Sequence, residues 1–137
     1  MSMWLYQLNQ KLWTPEIFRY EIWEDRRWHW TYGQKRGEAM PKTGDMLVFF
    51  YSQSSGSDPG IYAWAVVERC DSESKTLYFI PTAPTNHLKM DPWWDQEAKR
   101  VTDEIRGDMQ QATLFQVPPE LIPCLRIGIK RWLNPRE

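Results

Sequence analysis

Residues 42–51 read K-T-G-D-M-L-V-F-F-Y. Lys42-Thr43-Gly44-Asp45 has the composition of a turn, and the six residues after it are apolar without a break. A run this short, aromatic and bounded by turn residues predicts a buried strand over 46–51 rather than a helix. Residues 52–60, S-Q-S-S-G-S-D-P-G, form a loop by composition. A second strand is expected over 61–69, with Ile61, Ala63, Ala65 and Val67 on one face and Tyr62, Trp64 and Val66 on the other. After a polar turn at 71–74, a third strand follows over 76–80. Three strands joined by polar loops predict an antiparallel meander curling toward a barrel.

On the N-terminal side, W-L-Y-Q-L over 4–8 predicts another strand. Thr14 as N-cap, Pro15 as first helical residue and Glu16 in the first turn open a short helix over 15–24. Residues 25–42 are polar and aromatic with no dominant period and are expected to be a long connection. Beyond the meander, 81–94 is again irregular. A helix is expected over 93–106, with Ala98, Val101 and Ile105 on one stripe and Gly107 ending it. A strand over 113–117 and a last helical stretch opened by Pro118-Pro119-Glu120 complete the chain. The class is α+β and β-rich, mostly antiparallel strands with short flanking helices. A length of 137 residues suits one domain over 1–137.

Composition narrows the function. Nine Trp, six Tyr and five Phe are a large aromatic complement for this length. A net charge of −1 argues against holding duplex nucleic acid mainly through its phosphates. The two cysteines, Cys70 and Cys124, carry no metal spacing and read as free thiols of a reducing compartment. No signal pattern and no membrane-length apolar run is present, so a cytoplasmic chain without membrane partners is expected. Neither a metal nor a cofactor is expected.

Several stretches in order resemble the EVE domain, a branch of the PUA-like superfamily. They are the opening W-L-Y, Gly44-Asp45 leading into Phe49-Phe50-Tyr51-Ser52, Pro59-Gly60-Ile61, and Asp91-Pro92. The resemblance implies a pseudo-barrel with flanking helices. It also implies recognition of a modified or flipped-out base, in DNA or RNA, in an aromatic pocket. The family's W-x-G-V-R-N-Y-Q-A-R-N segment is absent, the region here reading Trp28-His29-Trp30-Thr31-Tyr32-Gly33-Gln34-Lys35-Arg36.

The residues themselves suggest where a base would sit. Trp28, Trp30 and Tyr32 alternate and can turn rings to one side of an extended segment. Arg27, Lys35 and Arg36 beside them, and Lys89 further on, are candidate phosphate contacts. Tyr51, Ser52 and Gln53 end a strand with groups suited to a base edge, and Trp64 is a further ring. Asn86, His87 and Trp93 are candidates for an opposite wall. A binding module without catalytic residues is the expected function. One alternative is an amidohydrolase acting on a modified cytidine, since Gly33-x-Lys35-x-x-Glu38 resembles part of the ASCH motif, whose arginine position is Met40 here. Another is a protein-interaction domain whose exposed aromatics grip a partner.

Overall fold

The computed structural model describes residues 2–8, 13–52, 59–83, 96–107 and 112–133, the last three by their backbone alone. The elements in chain order are β1 (Met3–Leu8), α1 (Pro15–Arg19), a π-helical turn (Tyr20–Glu24), β2 (His29–Thr31), β3 (Lys35–Arg36), β4 (Met46–Tyr51), β5 (Gly60–Asp71), β6 (Thr76–Ala83), α2 (Gln96–Arg106), β7 (Leu114–Gln116), a 3-10 turn (Pro119–Leu121) and α3 (Ile122–Leu133). The strands form one sheet in the order β2-β6-β5-β4-β1-β7-β3. Among the described strands, only β1–β4 and β3–β7 run parallel. The expected α+β, β-rich class is what the chain adopts.

The sheet curls without its edge strands pairing. One short segment, 29–36, serves both ends: β2 pairs with β6, and β3 with β7. Between them Gly33 N donates to Thr113 Oγ1 at 3.3 Å, and Thr113 N donates to the Gln34 carbonyl at 2.9 Å. The region expected to be an irregular connection therefore holds two strands, one at each edge of the sheet, and the sheet stays open where a closed barrel would have paired them. Strands of three and two residues are too short to show a period. Their partners lie more than forty residues away, so pairing alone defines them.

Alternation along the strands builds two cores. Trp4, Tyr6, Leu8, Leu47, Phe49, Tyr51, Ala65, Val67, Leu77 and Phe79 face one side, closed over by Phe18 and Ile22. Met3, Leu5, Met46, Val48, Phe50 and Phe115 face the other, covered by Ala98, Val101 and Ile105 of α2 and by Leu125 and Ile129 of α3. The predicted facing of β5 holds only in part. Phe49 pairs with Ala63 and Phe50 with Ile61, so Tyr62 is an extra residue. This bulge reverses the alternation: Tyr62 joins Ala63 on the first side, and Ile61 moves to the second.

The turn ahead of β4 is fixed chemically. Asp45 N donates to the Lys42 carbonyl at 3.0 Å, with Gly44 at φ +92°, the positive φ that the third position of a type II turn demands. Asp45 itself is buried. Its oxygens accept from Ser2 N (3.1 Å), Lys42 N (2.9 Å) and the indole of fully buried Trp4 (3.1 Å). The same carboxylate thus ties the turn to the start of β1.

The helix expected over 15–24 begins as read, Thr14 Oγ1 accepting from Ile17 N at 3.2 Å. Its second half widens to a π turn, in which Asp25 N donates to the Tyr20 carbonyl. The Ile22 carbonyl accepts the Trp28 indole N–H at 2.9 Å. Among the described residues, no helix is long and apolar enough to cross a membrane.

Candidate functional site

β2 turns Trp28, Trp30 and Tyr32 to the first core, as their alternation predicts. The rings do not line an open groove, however. Trp30 is 5% exposed, and the rings of Trp13, Phe49, Phe79, Phe18 and Tyr6 surround it at centroid distances from 5.0 to 5.8 Å. Most contacts are edge-to-face or tilted, the geometry that aromatic quadrupoles favour. Its Nε1 is buried and has no hydrogen-bond partner among the described residues. A buried indole donor without an acceptor costs about 1–3 kcal/mol relative to a satisfied one.

The cluster reaches the surface beside α1, at the carboxyl ends of β1 and β4. Half-buried Trp13 tilts over Trp30 at 5.0 Å and 45°, and its carbonyl accepts the Tyr51 hydroxyl at 2.8 Å. Tyr51 meets Tyr62 at 4.8 Å, and Phe18 meets both tyrosines at 6.4 Å. Two guanidiniums lie on these rings: Arg27 over Trp13 at 5.4 Å and Arg19 over Tyr62 at 5.2 Å. Arg27 also pairs with Glu21 at 3.2 Å while staying 42% exposed.

The other predicted residues divide. Ser52 is buried at the end of β4, beside Tyr51. Tyr32 does not share a wall with them. Its hydroxyl lies 3.5 Å from Cys70 Sγ, ten residues along β5 from the Gly60 that pairs with Tyr51. That is roughly 30 Å of strand rise, so one base cannot touch both tyrosines. Trp64 packs on the second core, across the sheet from Trp30. Gln53, Asn86, His87, Lys89 and Trp93 lie outside the described residues.

Two of the cations expected to meet phosphates are committed within the fold. Lys35 Nζ donates to the carbonyls of Gly37 and Ala39 and stands over the Trp4 ring at 5.8 Å. Arg36 donates to the Arg106 and Ile105 carbonyls at 2.6 and 3.3 Å, capping the carboxyl end of α2, where the helix dipole favours a cation. Gly107, at φ +50°, keeps that approach open, because a Cβ there would fall 2.1 Å from an Arg36 nitrogen. Isolated carbonyls at a helix end and in a tight loop need donors, and the nearest basic side chains supply them.

Sequence reading missed Trp13, Phe18, Tyr62 and Arg19. Trp13 and Phe18 flank the Thr14 cap in the positions of a hydrophobic staple, a signal that pairs them without naming the ring beneath.

Burial drives the Tyr6 and Tyr51 hydroxyls far above the ordinary phenol range, against the opposing charges of Arg27 and Arg19 respectively. For Tyr51, Tyr62 and Glu16 add to the rise. A raised native pKa stabilises the fold fully below the unfolded value and is lost as pH climbs through it toward the native one. This contribution is therefore expected to hold through neutral pH. Above about pH 10 it should fall by about 1.4 kcal/mol per pH unit for each of the two tyrosines. Urea midpoints measured from about pH 8 to pH 11 check this, and a flat profile would mean that water reaches the phenols.

No family model and no curated protein matches this chain. Among solved structures, it is similar to one of a Rhodopseudomonas palustris protein determined by NMR. The two are 14% identical over 96% of this chain and 93% of that one, with a TM-score of 0.53. It is also similar to a hypothetical protein from Leishmania major, 15% identical over 96% of both chains, with a TM-score of 0.50. At such identities the likeness concerns the fold alone.

Proposed function

We propose that the chain is a nucleic-acid-binding module of the EVE type, which takes a modified or unpaired base into the aromatic site under Trp13. The observation that carries this reading is the buried Trp30 N–H, a donor amid aromatic rings that has no acceptor among the described residues. A base carbonyl or ring nitrogen would satisfy it, while Trp13 and Trp30 offer faces for stacking. Trp30 is covered, so the base enters as Trp13 swings aside, and Arg27 on the outer side of Trp13 meets the adjoining phosphate. Extruding a base is cheapest from a single strand or a modified pair, which favours those targets. The commitment of Lys35 to two carbonyls speaks for binding over proton-transfer chemistry.

Titrating the protein with nucleosides and modified single-stranded oligonucleotides, read by tryptophan fluorescence, tests this. Trp30→Phe keeps a ring and removes the donor. It is expected to weaken binding about tenfold, the worth of one hydrogen bond, with the fold intact. No quenching at millimolar ligand, or equal affinity in Trp30→Phe, would overturn the proposal.

A further inference from the structure

The strand that turns Trp30 inward presents a different surface outward. His29 on β2 pairs with Tyr78 on β6, and Tyr78 with Arg69 on β5. Their side chains stand on the face opposite the aromatic core as a stack. His29 lies on one face of Tyr78 at 5.6 Å and 21°, and the Arg69 guanidinium lies 3.6 Å from the tyrosine centroid. His29 and Arg69 are both exposed. Next to them, the cross-strand pair Val66 and Ile80 is 36% and 49% exposed. The covering residues of α2 and α3 pack with β1, β4, β7 and the start of β5, and among the described residues none of the second core lies over this end of the face.

Charge decides what fits there. Among the described residues, no carboxylate lies within ion-pair range of Arg69 or of exposed Arg26, which stands three residues before His29 at φ +55°. Asp71, two residues along β5 from Arg69, accepts from the amides of Ser74 and Glu73 in the turn, which lower its pKa, and the Arg69 charge acts on it only from a distance, adding to that lowering. A wholly apolar partner would cover Val66 and Ile80 but strip water from the exposed Arg69 guanidinium, which no carboxylate contacts directly. A polyanion with flat rings suits both features.

We propose that the His29-Tyr78-Arg69 stack, with Arg26 three residues before His29, is a docking surface for the strand flanking the bound nucleotide. Arg69 and Arg26 take phosphates of a single-stranded nucleic acid, and the outer face of His29 takes a neighbouring base. This rests on the nucleic-acid reading above and extends it from one nucleotide to a strand.

The test uses the full chain, wild type and with Arg69→Gln or His29→Ala, both at exposed positions. Anisotropy of a labelled oligonucleotide of about ten bases, a length spanning both surfaces, is compared with fluorescence quenching by a free nucleoside. Each substitution is expected to weaken the oligonucleotide about five- to tenfold and leave the nucleoside unaffected. Arg69→Gln should also make the logarithmic salt dependence shallower by about 0.7. Unchanged oligonucleotide affinity in both variants, with nucleoside binding intact, would overturn this surface alone. If the wild type binds neither ligand, both readings fall. Displacement of the oligonucleotide by poly-glutamate as readily as by unlabelled oligonucleotide would also overturn the proposal, assigning the surface to acidic protein segments.

Discussion

Trp30→Ala is expected to destabilise the protein by about 4 kcal/mol, the usual cost of removing a large buried ring. The size follows from position. Trp30 sits on a three-residue edge strand yet touches rings of β1, β4, β6 and α1. Alanine would leave a cavity bordered by rigid aromatics that cannot collapse into it. A lowered urea midpoint at unchanged slope would confirm it, and a loss under about 1 kcal/mol would mean that the cluster is loosely packed. The alanine variant is therefore a poor control for ligand binding, because folding and recognition would fail together. Trp30→Phe separates them. It deletes the unsatisfied donor with little volume, so its stability should change by less than about 1.5 kcal/mol even as base affinity drops.

Asp45→Ala should cost about 3 kcal/mol, since it removes a charged acceptor serving three donors at once. The most expensive is the Trp4 indole, which sits in a fully buried side chain without access to water. The loss should be felt at the shared amino end of the parallel β1–β4 pair, where Ser2 and the turn before Met46 share the carboxylate. Trp4→Phe in the alanine background should then cost less than in the wild type, by about 1 kcal/mol of coupling. Purely additive losses in that double-mutant cycle would show that the indole–carboxylate bond contributes nothing of its own.

Local chemistry wrote much of this fold into the sequence. The turn at 42–45, the apolar run of β4, the Thr14-Pro15 helix opening and the Gly107 stop were legible because each depends on residues within a few positions. So was the common facing of Trp28, Trp30 and Tyr32, a matter of period two. Long-range pairing decided the remainder. The bulge at Tyr62 exists because β4 and β5 must both present apolar residues to two cores, and it sent Tyr62 to the aromatic site while Trp64 lay on the far side. Lys35 and Arg36 looked like phosphate ligands until the fold set bare carbonyls beside them. Trp13, Phe18 and Phe79 became neighbours of Trp30 only through the curl of the sheet. A sequence states which side of its own strand a ring occupies. Which rings stand opposite, and which donor among them goes unsatisfied, depends on contacts between residues distant along the chain, and these are specified only when the whole sheet curls over its core.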